Sequence, residues 1–257
     1  HQRQDWFTCP CCPPNLARTL ASVGQYFYST GVNDLWVHLY AQGTAKVQVG
    51  GREVRLRQVT KYPWDGDIHF EIGVASPQRF TLHLRVPAWC ERWRLDVNGV
   101  AAEQAANGEL STENGYIHLT REWNPGDVIE YKMEMPVQVV WAHPAVRDLQ
   151  GRVALERGPM VYCLEGVDHP GIRLERIAID PHKVSKEFQT EHNRDLLGGV
   201  SVLRGEGSIM DESGWENVLY RNHQPSSKTI DLVAIPYYAW ENRAPGEMRV
   251  WLRARGG

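Results

Sequence analysis

Apolar positions along most of this chain recur every second residue; only near its start do they recur at helical spacing. Within residues 13–30, Leu16, Leu20, Val23 and Tyr26 stand three or four apart, behind Pro13 and Pro14, which suit a first helical turn. Gly31 then predicts a stop and Asn33-Asp34 a turn. From Leu35 onward the period changes to two. Residues 35–40, 45–49, 54–62, 67–74, 80–86 and 92–97 read as strands separated by Gly, Pro, Asn and Asp. The run at 80–86 is the clearest. Phe80, Leu82, Leu84 and Val86 face one way while Thr81, His83 and Arg85 face the other, as in a half-buried antiparallel strand. Strands at 116–120 and 128–135 follow, joined by the Trp123-Asn124-Pro125-Gly126-Asp127 turn. A second set is predicted at 152–155, 160–164, 173–179, 200–203, 229–235 and 248–253, with 181–198 and 205–228 as long polar loops. Short strands with such frequent turn signals predict a mainly β protein built as β-sandwiches or jelly rolls. The expected order is a short helical piece over 1–30, a first sandwich over 31–136 and a second over 137–257, with the boundary near Pro136–Pro144.

Composition narrows the classes of partner. The 257 residues are 42% hydrophobic and 23% charged with a formal net charge of -3, and no basic run follows the chain, which argues against nucleic acid. No stretch approaches the roughly 18 apolar residues of a membrane-spanning helix. The sequence opens His1-Gln2-Arg3-Gln4 without an initiator Met or an apolar signal region, so it reads as an internal start; a cytoplasmic location is expected, with secretion left open. Ten Trp and ten Tyr stand against five Phe. Aromatics with a polar edge suit sugar stacking and sandwich cores alike, and Trp36, Trp64, Trp89 and Trp93 are candidates for both roles.

The chemistry concentrates in Trp6-Phe7-Thr8-Cys9-Pro10-Cys11-Cys12-Pro13-Pro14-Asn15. Three of five cysteines fall within four positions, and neighbouring Cys11 and Cys12 could pair only in a strained ring, so no disulfide framework is expected. Two thiols just before a Pro-Pro helix start sit at the positive end of a helix dipole, which favours the thiolate, the form that binds zinc and attacks carbon. Two thiolates do not complete a tetrahedral zinc site, which needs four ligands. Cys9 is a candidate third, although three ligands from one C-x-C-C run are geometrically difficult, and Cys90 and Cys163 lie in strand runs as apolar fillers. On chemistry alone, small residues packed at a domain junction explain Cys11 and Cys12 equally well.

The run Cys11-Cys12-Pro13-Pro14-Asn15-Leu16-Ala17-Arg18 resembles the Cys-Cys-Pro-Pro-Asn signature of glycoside hydrolase family 127, whose type activity is β-L-arabinofuranosidase. Ala154-Leu155-Glu156-Arg157-Gly158-Pro159-Met160-Val161-Tyr162 is similar to the family too, as are Ile235 to Arg243 and Pro245 to Trp251, so the similarity covers essentially the whole chain. The resemblance implies an α/α barrel carrying the active site, followed by two β-sandwich or jelly-roll domains. It implies that Cys11 is the nucleophile and a zinc ligand, that Cys12 is a zinc ligand, and that Cys9 has no assured role. The remaining ligands and the acid/base would come from an upstream Glu-x-Cys motif and an upstream Glu. No Glu-x-Cys occurs in this sequence. Residues 1–30 are therefore expected to be the end of the barrel, and the chain alone to hold an incomplete zinc site and to be inactive. The implied partners are an arabinofuranosyl-containing glycan or glycoside and the missing barrel domain.

The competing expectation is a freestanding double sandwich that binds glycan or serves a separate catalytic chain; it leaves the paired thiols unexplained. Among other polar residues, His143, His169, His182, His192 and His223 fall in expected loops and read as surface residues. Asp65-Gly66-Asp67 reads as a turn, and Asp211-Glu212 as part of a solvated loop.

Overall fold

The computed structural model describes residues 3, 4, 6, 8–104, 108–213, 215, 216, 218–223 and 225–255. Two compact units divide the chain between Met135 and Pro136, the first residues of the chain belonging with the second unit.

In the first unit, helix α1 (Cys12–Ser22) is followed by a 3-10 turn at Val23–Tyr26 and by strand β1 (Tyr28–Thr30). The helix expected over 13–30 thus ends at Ser22. Thr19 and Ser22 turn their hydroxyls back onto the carbonyls of Asn15 and Arg18, a competition that weakens the following turn. The segment beyond finds a better partner, because Tyr28, Ser29 and Thr30 pair antiparallel with Val37, Trp36 and Leu35.

The remaining strands are β2 (Asp34–Val37), β3 (Gly43–Val49), β4 (Arg52–Thr60), β5 (Asp67–Val74), β6 (Gln78–Arg85), β7 (Trp93–Val97), β8 (Val100–Ala101), β9 (Gly108–Glu113), β10 (Tyr116–Trp123) and β11 (Val128–Met133). They form two sheets in the orders β1-β2-β6-β10-β9 and β3-β4-β5-β11-β7-β8. Inward residues such as Leu35, Phe80, Leu82 and Leu119 meet Leu56, Phe70, Ile72 and Ile129 in one buried cluster. At roughly 25 cal/mol per Å² of apolar surface removed from water, burial of this kind is the main favourable term for the unit. Trp123 is fully buried, and its indole N–H satisfies the Phe80 carbonyl at 3.1 Å. The turn after it closes as its sequence predicts, with Gly126 at φ +85° and the Asp127 carboxylate accepting from the Asn124 amide and the Asn98 side chain, each at 2.9 Å. Gly66 also has no substitute, since a Cβ there would lie 2.0 Å from the Met133 carbonyl oxygen. Strand β9, Gly-Glu-Leu-Ser-Thr-Glu, has no apolar alternation and was not expected; it forms as an edge strand against β10.

The second unit comprises β12 (Val137–Trp141), β13 (Arg152–Arg157), β14 (Met160–Glu165), β15 (Ala178–Ile179), helix α2 (Val184–Glu187), β16 (Gln189–Asn193), β17 (Val200–Met210), β18 (Ser227–Pro236), β19 (Met248–Arg249) and β20 (Leu252–Ala254). Its strands form one continuous sheet, and the pairing of β13 with β14 closes β13-β20-β15-β17-β18-β14 into a ring. Leu155, Tyr162, Leu164, Ile177, Leu203, Leu232 and Leu252 fill one core. Two segments expected as loops are ordered here. Within 181–198 lie α2 and β16, and β17 continues to Met210 through Gly205 and Gly207. Glycines usually signal a loop, but a Cβ at Gly205 would sit 2.6 Å from the Phe188 ring, so this glycine admits close packing inside a strand.

On the outer face of β2, β6 and β10, the ring of His83 stacks on Trp36 at 4.2 Å and 5°. His83 Nε2 lies 3.0 Å from an Asp34 oxygen and its Nδ1 2.5 Å from Nδ1 of His118. His38 sits one pair along the strands between Ser29 and Tyr116. Burial is the first cause that lowers the pKa of His83, opposed by its bond to Asp34 and reinforced by His118; burial, then the Arg85 charge, lowers that of His38. A histidine with a depressed folded pKa adds no pH dependence well above its unfolded value near 6.5; below that the unfolded chain binds more protons and the fold loses stability. Thermal unfolding of the first unit should therefore fall between pH 7.5 and 5.5, and fall less in His83→Asn. An unfolding midpoint that rises over this window in the unsubstituted chain refutes the reading.

Candidate functional site

Helix α1 begins where the cysteines are. Cys11 is its N-cap, Cys12 its first residue, and the two prolines occupy its first turn, where their missing N–H groups lose no hydrogen bond. The structure brings all three clustered thiols together at the surface. Sγ of Cys11 lies 3.9 Å from Sγ of Cys12 and 3.9 Å from Sγ of Cys9. Asn15, the last residue of the signature, accepts from the Arg18 guanidinium one turn later. Cys9 and Cys12 also stand in the C-x-x-C spacing of dithiol redox pairs, so the cluster must be kept reduced in any assay.

The fit of a zinc ion can be judged from these distances. Two thiolates at about 2.3 Å from a tetrahedral zinc stand roughly 3.8 Å apart, close to the separation found for Cys11 and Cys12. The donor set is compatible with zinc but partial: among the described residues no group of three or more His, Cys, Asp or Glu is placed to hold a metal. Cys90 and Cys163 are both buried, as expected of apolar fillers, and burial pushes the Cys163 thiol up to about 12.

The other residues singled out from the sequence take structural places. Trp89 and Trp93 are half-buried against the first core, and Trp36 serves His83. The Asp67 amide donates to the Asp65 side chain, closing the expected turn. Asp211 pairs with Lys228 at 3.0 Å and Glu212 with Arg176 at 2.7 Å. His169 corrects the surface reading: it is 3% exposed, its Nδ1 is 2.8 Å from the Glu165 carbonyl, and its Nε2 accepts from the Val233 amide. That pairing of β14 with β18 through one imidazole is a packing role that loop composition hides.

One cluster escaped the sequence altogether. Arg243 donates through Nε and Nη2 to one oxygen of Glu165, at 3.0 and 2.5 Å, and through Nη1 and Nη2 to both oxygens of Asp168, at 2.8 and 2.5 Å. The second Glu165 oxygen accepts from the Glu241 amide at 2.7 Å, where the chain turns with φ +63°. These bonds, led by those to Asp168, raise the guanidinium pKa further above its ordinary range. They stitch the Tyr237–Glu247 segment to the end of β14. The carbonyls of Tyr238 and Trp240, in the same segment, receive the Arg3 guanidinium at 3.1 Å each. Charge pairs between residues some 75 positions apart leave no local pattern in a sequence.

The chain is thus a cysteine-led helix ahead of two β-rich units. Two family models match it: the β-L-arabinofuranosidase middle domain of glycoside hydrolase family 127 over residues 34–135, and the C-terminal domain of the same family over 137–253. The chain belongs to glycoside hydrolase family 127. It is 34% identical over 261 aligned residues to a non-reducing end beta-L-arabinofuranosidase of Bifidobacterium longum subsp. longum, covering 98% of this chain and 38% of that protein. Among solved structures it is similar to a GH127 beta-L-arabinofuranosidase from Geobacillus stearothermophilus T6, with 40% identity, a TM-score of 0.89, and coverage of 99% of this chain and 39% of that one. A second GH127 beta-arabinofuranosidase matches at 30% identity and a TM-score of 0.84, with 99% and 40% covered. The chain thus spans about two fifths of the length of these relatives. No helix among the described residues is long and apolar enough to cross a membrane.

Proposed function

We propose that these residues form the C-terminal part of a retaining glycoside hydrolase that releases terminal β-L-arabinofuranosyl residues, with Cys11 as nucleophile. The observation that carries this reading is the 3.9 Å approach of the Cys11 and Cys12 sulfurs at the exposed start of α1. Cys11 and Cys12 would hold a zinc ion, which when bound keeps its thiolate ligands deprotonated at neutral pH. The helix start orients Cys11, and its sulfur forms a bond to the anomeric carbon as the bond to the leaving oxygen breaks; water then hydrolyses the thioether. The leaving oxygen needs a proton, and the donor is assigned to the part of the protein before these residues, together with the remaining zinc ligands. Helix α1 is assigned to that same helical domain, whereas Tyr28–Thr30, expected with it, pair into the first sheet: α1 leaves Leu16 and Leu20 each more than 60% exposed, an apolar stripe suited to helical neighbours. The freestanding glycan-binding alternative gives no purpose to two thiols at a helix start. The test is peptide mapping after the complete protein is incubated, under reducing conditions, with a mechanism-based arabinofuranosyl analogue. The adduct should map to Cys11; an adduct on Cys12 or Cys9 refutes the assignment.

A further inference from the structure

Within the second unit, a cavity of about 600 Å³ opens between the turn at 147–149, β13, β14 and the chain from β19 to Trp251. We infer that it is a non-catalytic binding site for a neutral sugar residue of a glycan. The substrate class rests on the proposed function; the site's chemistry stands without it.

Its volume lies within the range of about 300–1,000 Å³ common to small-molecule sites. One wall is apolar and aromatic, with Trp251, Val161 and Tyr237 lining it. Val161, on β14, and Tyr237, in the 3-10 turn that follows β18, remain 40% and 44% exposed. The Tyr237 ring is one layer of a stack on Trp240, with centroids 6.2 Å apart and planes at 17°. A ring held in this way loses little freedom when a ligand packs against it, and the C–H face of a sugar is a suitable partner.

The polar groups around that wall are unusually unoccupied. Among the described residues the Asp148 carboxylate has no hydrogen-bond or ion-pair partner. Arg152 makes one long bond, 3.4 Å to the Trp251 carbonyl, and Arg249 one ion pair with Glu175 at 3.6 Å. A carboxylate accepts from sugar hydroxyls and guanidinium groups donate to them, so vicinal hydroxyls satisfy both kinds. A phosphate or uronate would suit the arginines but would face Asp148 unneutralised. A fatty chain would leave three charged groups unserved. A neutral polyol ring with one apolar face meets all of these demands. Catalysis is not implied, because among the described residues Asp148 is the only carboxylate lining the cavity and glycoside hydrolysis ordinarily takes a pair.

The experiment is titration of the ¹⁵N-labelled 257-residue chain, carrying Cys11→Ser, with a linear neutral arabino-oligosaccharide and, separately, with oligogalacturonate. Cys11→Ser removes the proposed nucleophile, so a failure of the hydrolase reading leaves this result intact. Millimolar or tighter binding is expected, with shifts centred on residues 148–152, 237 and 249–251. Both Asp148→Ala and Tyr237→Ala should weaken it about tenfold or more. Both positions are exposed, so neither truncation empties the core, and unchanged thermal unfolding of each variant verifies this. Absence of binding, shifts centred elsewhere, undiminished binding by both variants, or preference for oligogalacturonate each overturns the inference.

Discussion

Replacing Arg243 with Ala should lower the unfolding free energy of the second unit by about 3–5 kcal/mol, because it strands the buried carboxylate of Glu165 and the partly buried one of Asp168. The side chains of Glu165 and Asp168 are only 6% and 17% exposed, and Arg243 supplies four hydrogen bonds to them. Among the described residues neither carboxylate has another cation in contact. Removing the cation leaves the desolvation of both acids uncompensated, which exceeds what the ion pair itself contributes. Arg243→Lys keeps the charge but cannot reach both acids with a fork, so a smaller loss is expected. Urea unfolding, with hydrogen exchange over β14 and β18 to assign the transition, measures both. A loss below about 1 kcal/mol for Arg243→Ala would mean that the clamp is relaxed or hydrated in solution. The same experiment tests whether the Tyr237–Glu247 segment detaches first: its amides should exchange faster in Arg243→Ala than those of β17.

How much of this was legible beforehand depended on the range of the interaction that decides each feature. Strands such as β6 and β10 announce themselves because one face is buried and the other is not, so the period of two is written in the residues. The Trp123–Asp127 turn was legible for a similar reason, since its hydrogen bonds are local. Strand β9 was not, because an edge strand with little buried surface carries no such alternation, and its pairing with β10 is what orders it. Helix α1 was legible in its start but not its end: Pro13 and Pro14 are local signals, whereas the switch to β1 is made by the partner strand β2. Gly205 misled by type, since its reason lies in the Phe188 ring across the packing rather than in a turn. At the candidate site, Cys11 and Cys12 were legible because neighbours in sequence remain neighbours in space. The Arg243 cluster and the Asp148 cavity were not, because each is assembled from segments many tens of residues apart.

In the complete protein, Cys11→Ser should reduce turnover of an arabinofuranoside by about 10⁴-fold or more, the scale seen when a catalytic nucleophile is removed. Cys12→Ser should also impair the enzyme, through the metal rather than through bond formation. The two roles separate by measuring zinc. Both sulfurs lie at a spacing that two ligands of one zinc require, so either substitution should let the metal escape mild chelation that the unsubstituted protein withstands. A serine at position 11 presents a hydroxyl, which is a poorer nucleophile and a poorer zinc ligand at neutral pH, so both properties fail together there. At position 12 only the second fails, and restoring zinc at high concentration should recover part of the turnover in Cys12→Ser but none in Cys11→Ser. The 257-residue chain by itself supplies two thiolates, or three with Cys9, and no further cluster of donors among the described residues. Its zinc should therefore exchange within the chelation that the complete protein resists. Retention of zinc by the chain alone as firmly as by the complete protein, or rescue of Cys11→Ser by added zinc, would show that these cysteines do not divide the work in this way.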